Sequence, residues 1–145
     1  MTHTDRRSFL KSSACMVCVL ATAGCGGDAP GPVDAGRVED YATGVLKYVG
    51  GGVAVGKDDG GLYAISTICT HSDCDIGEDG ELTQDLITCN CHGSQFGSDG
   101  SVITGPAQSP LDFYEITIGE FGEVTVHTDR GTDSSTRVSA EDEER

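Results

Sequence analysis

Two short stretches hold most of the side chains in this sequence that could bind a metal. The first, Cys69-Thr-His-Ser-Asp-Cys74, sets two thiols and an imidazole within six residues. The second, Cys89-Asn-Cys-His-Gly-Ser94, supplies the same groups again. Of the seven cysteines and four histidines in the chain, four and two stand here, so the clustering itself asks for an explanation. Thiols in an oxidising compartment pair into disulfides that staple small folds. Thiolate and imidazole together bind metals, either zinc in a tetrahedral Cys2His2 site or iron in a cluster. The spacing Cys69-x-His71 with Cys89-x-x-His92 supplies two sulfurs and two nitrogens and leaves one spare thiol per loop, Cys74 and Cys91. A stapled domain without metal leaves both histidines at ligand spacing by coincidence. A zinc site leaves the spare thiols without a role.

The elements that must present these loops are short strands. Val45–Val49 and Val53–Val55 flank a Gly-Gly-Gly turn, Leu62–Ile68 runs into Cys69, and Asp85–Thr88 runs into Cys89. Phe113–Ile118 and Val124–His127 predict a closing hairpin around Gly119 to Gly122. Runs of this length, bounded by Gly and Asp, point to an all-β antiparallel sandwich or barrel. No segment sustains a helical period. Each Cys/His stretch follows a strand end, where a rigid sheet can hold a loop in place.

The termini read differently. Thr4-Asp-Arg-Arg-Ser-Phe-Leu-Lys11 is a basic segment similar to a twin-arginine export signal. The apolar run after it, Ser12 to Gly24, is shorter than the roughly 20 residues that span a bilayer as a helix, so residues 1–24 are expected to be a signal peptide. Leu20-Ala-Thr-Ala-Gly-Cys25 resembles a lipobox, which makes Cys25 a candidate lipidation site and gives peripheral attachment to the membrane. Residues 25–40 have the Pro, Gly and acidic composition of a linker, and residues 129–145 that of a disordered acidic tail. A folded domain is expected over 41–128. The formal charge of −15 argues against nucleic acid as a partner and suits a basic protein partner.

CTHSDC and CNCHGS resemble the two cluster-binding loops of the Rieske iron–sulfur family, and Gly105-Pro-Ala107 followed by Pro110-Leu111 resembles that family's proline loop. The resemblance runs from about Val45 to Val126. It implies a Rieske-type β-sandwich or barrel with two cluster-binding loops and a proline loop, carrying one 2Fe-2S cluster. By the same carry-over, Cys69 and Cys89 bind one iron, His71 and His92 bind the other, and Cys74 and Cys91 form a disulfide between the loops. Two thiolates and two neutral imidazoles leave an oxidised cluster uncharged, which raises such centres to about −150 to +300 mV, against roughly −400 mV for plant-type four-cysteine clusters.

Further implications concern tuning and partners. Ser94 matches the position whose hydroxyl donates to a bridging sulfide. Phe96 stands where high-potential members carry Tyr. Asn90, Ser72 and Asp73 depart from the family pattern, and Ser72-Asp73, with Asp75 nearby, makes a polar, acidic tip. The expected function is extracytoplasmic one-electron transfer, as a carrier or as the small subunit of an oxidoreductase. Its partner would be a cytochrome c or a large oxidoreductase subunit. The alternative is the Rieske component of a bc-type quinol–cytochrome c complex. No stretch resembles a separate catalytic domain, so no substrate chemistry beyond the electron is expected.

Overall fold

The computed structural model describes residues 31–139. Ten strands form two antiparallel sheets. Six of them, β1 (Pro32–Arg37), β2 (Leu46–Gly50), β3 (Val53–Asp58), β4 (Gly61–Ser66), β9 (Phe113–Ile118) and β10 (Glu123–Thr132), make the larger sheet in the order β1-β10-β9-β4-β3-β2. The sheet curls until β1 approaches β2, so it is nearly closed into a barrel. The smaller sheet holds β5 (Gly80–Leu82), β6 (Leu86–Cys89), β7 (Gln95–Gly97) and β8 (Val102–Thr104) in sequential order. A single helical turn, α1 (Ile76–Asp79), precedes β5.

The alternation of side chains along a strand divides the interior into two cores. On β3 and β4, Val53, Val55, Leu62 and Ala64 face one way and join Ile116, Ile118, Val124 and Val126 inside the curled sheet. Ala54, Tyr63 and Ile65 face the other way and pack with Ile76, Ile87, Phe96, Leu111 and both Cys69 and Cys89. The second core is therefore shared between the sheets, and it is the one that underlies the loops. Tight turns set the register. Asp58 pairs with Gly61 across an Asp59-Gly60 turn, a sequence suited to a two-residue hairpin. Gly50, Gly51 and Gly52 all have positive φ, which only glycine adopts without strain over three consecutive residues.

The expected strands are present with shifted ends, and the expected hairpin of β9 and β10 closes as read. Two expectations are corrected. The linker placed over 25–40 is structured where it is described: residues 32–37 pair with β10, and Ala35 is buried, its carbonyl accepting the hydroxyl of Tyr41. Val33 and Ala35 are the strand's only inward apolar side chains, and a bulge at Gly36 (φ 79°) shifts its register, so composition hides it. The tail placed over 129–145 is also ordered through its described part. β10 continues to Thr132, and Val138 exchanges both backbone hydrogen bonds with Leu62 at 2.8 and 3.0 Å. Since β9 pairs with β4 only at Ala64 and Ile65, Val138 covers a stretch of β4 edge that β9 leaves open. The expected signal peptide over 1–24, Cys25 and residues 140–145 lie outside the described residues. His127 is half-buried and lies 3.0 Å from the Thr117 hydroxyl across the hairpin.

Candidate metal centre

Both loops are built on one hydrogen-bond frame. In the first, the Cys69 N–H donates to the carbonyl of Cys74 (2.8 Å) and the Asp73 N–H to the carbonyl of Cys69 (2.9 Å). In the second, Cys89 donates to Ser94 (2.8 Å) and Gly93 to Cys89 (2.9 Å). Each loop thus folds back on itself within the five residues after its first cysteine. The turn needs a left-handed residue at its fourth step, and Asp73 (φ 53°) and Gly93 (φ 81°) fill that place. Asp is one of the few side chains that tolerates it.

The frame sorts the donors by depth. Cys69 and Cys89 point into the shared core, are 2% and 1% exposed and are free thiols. His71 and His92 stand exposed at the crown, their ring centroids 4.9 Å apart and their planes nearly perpendicular. The Ser72 hydroxyl lies 3.2 Å from Nδ1 of His71. A disulfide joins Cys74 to Cys91 and ties the loops together. The Cys89 sulfur lies within 4.8 Å of both disulfide sulfurs, but these are bonded to each other and are spent as ligands.

Burial pushes the Cys89 thiol up in pKa, and a hydrogen bond with the Cys69 thiol adds to the rise. The backbone N–H groups of Cys91 and His92 work the other way. Two touching thiols under apolar cover are poor thiolates on their own, yet amide donors are already aimed at one sulfur. A cation between the thiols resolves that conflict. Two sulfurs on the inner side and two imidazoles on the outer side fit a group that takes both donor types at different metals, so the residues fit a 2Fe-2S cluster.

The proline loop closes the site from a third side. Ser94, fully buried, accepts the Ala107 N–H at 3.0 Å, and its own hydroxyl hydrogen remains free to donate. The Thr70 hydroxyl donates to the carbonyl of Ser109 at 2.7 Å. Each ligand loop therefore holds one end of the segment 107–109. Phe96 is fully buried, opposite Ile87 on β6.

Sequence reasoning placed Asp75 at an acidic tip. Its carboxylate instead turns inward, accepting from Tyr48, Thr67 and the Gly77 N–H, so Asp73 alone supplies an exposed acid to that loop. Asp before a short helical start is a capping signal, and Asp75 caps α1. Nothing local signals Tyr48, which reaches the loop from β2.

Comparison with known proteins agrees with this geometry. The sequence profile of the Rieske [2Fe-2S] domain matches residues 32–115. A cytochrome b6-f complex iron-sulfur subunit of Chlorobaculum tepidum is 40% identical over 74 residues, 51% of this chain and 39% of that protein. The chloroplastic cytochrome b6-f complex iron-sulfur subunit of Chlamydomonas reinhardtii is 34% identical over 74 residues, 51% of this chain and 35% of that one. The chain thus spans well under half the length of these curated relatives. Among solved structures, a chain from the complex of reduced oxygenase and oxidized ferredoxin in carbazole 1,9a-dioxygenase matches with a TM-score of 0.52 at 27% identity. The match covers 72% of this chain and 98% of that one.

Proposed function

The chain belongs to the Rieske [2Fe-2S] domain family, and from that premise we propose that it passes single electrons outside the cytoplasm, as a carrier or as the small subunit of an oxidoreductase. The arrangement that carries this reading is a pair of buried thiols beside a pair of exposed imidazoles, gathered by one disulfide. Cys69 and Cys89 would hold one iron, and His71 and His92 would hold the other. When bound, the cluster supplies a reversible one-electron site of higher potential than a four-cysteine cluster. The thiols and the core around them keep water from the sulfur side. The imidazoles form the edge that a docked partner meets first, and the disulfide and the 107–109 segment hold the two loops in register.

Charge describes the partner. From Asp58 to Asp129 the chain carries 14 Asp and Glu and no Lys or Arg, and this span includes all three loops. A partner with a Lys/Arg-rich surface around its own redox centre is complementary, whether a cytochrome c or a large oxidoreductase subunit. Association should weaken as salt is raised. A binding curve unchanged between low and high salt removes that partner class.

The second reading, a Rieske component of a bc-type quinol–cytochrome c complex, draws on the names of the b6-f relatives. The exposed Ser72-Asp73 tip fits an apolar quinol pocket poorly. No helix among the described residues is long and apolar enough to cross a membrane. Co-purification with a cytochrome b would decide for the second reading.

Export by the twin-arginine route and lipidation at Cys25 rest on the motifs at Arg6-Arg7 and Leu20–Cys25. Mass spectrometry of the mature N-terminus tests lipidation, and loss of export on Arg6→Lys/Arg7→Lys tests the route. For the cluster, metal and sulfide analysis of purified chain should find two irons and two inorganic sulfides, with a rhombic paramagnetic resonance signal on reduction. A colourless, zinc-loaded protein ends the proposal.

A further inference from the structure

The two ligand loops share a frame but not a foundation. The second springs from β6 and returns into β7, and these strands pair at Thr88 and Gln95, so sheet hydrogen bonds close its neck. The first leaves β4 at Ser66 and returns into a one-turn helix, with no strand partner on the way back. Its neck is closed by the Ile76 N–H donating to the Thr67 carbonyl (2.7 Å), by one isolated bridge between Ile68 and Asp75, and by the Asp75 carboxylate.

That carboxylate receives three donors from three places. The Tyr48 hydroxyl on β2 donates to Oδ2 at 2.6 Å. The Thr67 hydroxyl donates to Oδ1 at 2.6 Å, and the Gly77 N–H donates to the same oxygen at 2.8 Å. Thr67 is fully buried. The Tyr48 ring packs closely against Gly77, where a Cβ would come within 2.1 Å of Cδ2. Hydrogen bonds to an ionised acceptor are about twice as strong as neutral ones, so this group can hold a neck that the backbone alone holds weakly.

We propose that Asp75, with Tyr48 and Thr67, is the clasp that keeps the first ligand loop in its metal-receiving shape, making Asp75 a positioning residue for the centre and not a ligand to it. The proposal rests on the cluster-binding reading above. It explains why an acid beside the Cys74 disulfide is turned inward while the other acids among the described residues mostly face water. Tyr48 is pushed up to about 12, chiefly by burial and then by the bond to Asp75, in keeping with a part-buried hydroxyl that donates to a carboxylate.

The test uses cluster-loaded full-length chain and four variants: Tyr48→Phe, Thr67→Val and Asp75→Asn at the clasp, and Tyr41→Phe as control. The control deletes the same hydroxyl, bonded to the Ala35 carbonyl, but in the other core. Two rates are read: deuterium uptake in a peptide covering 66–79, and bleaching of visible absorbance in EDTA. Tyr48→Phe and Thr67→Val should raise both by about threefold or more and Asp75→Asn by about tenfold, while Tyr41→Phe leaves both near wild type even where it lowers Tm. If Tyr48→Phe and Tyr41→Phe accelerate both rates equally, the effect is global stability and the clasp is refuted. Unchanged rates in Tyr48→Phe and Thr67→Val also refute it. Tyr48→Phe removes a single oxygen, so the test stands even if Asp75→Asn does not fold. Should the wild-type chain take up no cluster, the functional reading fails, and deuterium uptake still judges the clasp by the same comparison.

Discussion

Asp73 and Gly93 occupy the same position in two different loops. Each has a left-handed backbone, and each donates its N–H at 2.9 Å to the carbonyl of the free cysteine four residues before it. The loops are thus structural repeats, although their sequences align only at the first cysteine and set the second cysteine and the histidine at unequal spacing. A side chain at position 73 carries a backbone cost that glycine at 93 does not.

That difference is measurable. Asp73→Gly should stabilise the chain by about 0.5–1 kcal/mol in chemical denaturation, because it relieves a left-handed non-glycine residue. Gly93→Ala should cost about 1 kcal/mol or more, although its Cβ would meet nothing within 4 Å. Negligible effects at both sites would show that the left-handed backbone carries no such cost.

The disulfide between Cys74 and Cys91 closes a 17-residue separation. Cross-linking a loop of that size stabilises by about 3 kcal/mol in the chain-entropy account. The double variant Cys74→Ala/Cys91→Ala should lose roughly that amount in unfolding experiments and release iron faster. Single variants are poorer probes, since the remaining thiol would lie near Cys89 and compete as a ligand.

Phe96 is buried in the same core as Cys69 and Cys89. Phe96→Tyr adds a hydroxyl there, and one that donates to a cluster-bound sulfur stabilises the reduced form. A hydrogen bond of about 1–1.4 kcal/mol corresponds to a rise of roughly 40–60 mV in a one-electron midpoint potential. An unchanged potential in voltammetry, with the fold intact, would contradict the role assigned to this position.

Arg137 anchors the C-terminal segment. Its Nε lies 2.6 Å from Asp58, and its guanidinium sits 4.3 Å over the Tyr63 ring. Burial acts to raise the Asp58 carboxyl, but the hydrogen bond from Arg137, with help from the Gly60 N–H, outweighs it and leaves the pKa lowered. A lowered carboxylate contributes stability above its unfolded value near 3.8 and loses it as pH falls through the folded value below that. Arg137→Leu should therefore cost about 1 kcal/mol at pH 7, as expected for a partly buried pair, and less at pH 2–3. Chain ending at Asp133 should lose more, because Val138 no longer covers Leu62. Thermal unfolding across that pH range checks both.

Much of the site was legible without coordinates. Cysteine and histidine at ligand spacing announce themselves, because few other residue types do that chemistry and chance rarely places two such sets in one chain. Strands β2, β3, β4, β6, β9 and β10 showed through their β-branched and aromatic runs. The rest was invisible for identifiable reasons. β5, β7 and β8 are three residues long and exist only through their neighbours. β1 and the 133–138 segment carry few apolar side chains, so composition assigned them to linker and tail, yet each is held by backbone bonds to a distant strand.

The sequence by itself determined which atoms can meet a metal, since that depends on residue type and short-range spacing. Only the tertiary structure decided which donors are buried and which exposed, and that Asp75 faces inward. Those outcomes depend on contacts between residues far apart in the chain, such as Tyr48 with Asp75 and Ser94 with Ala107, which no local pattern encodes.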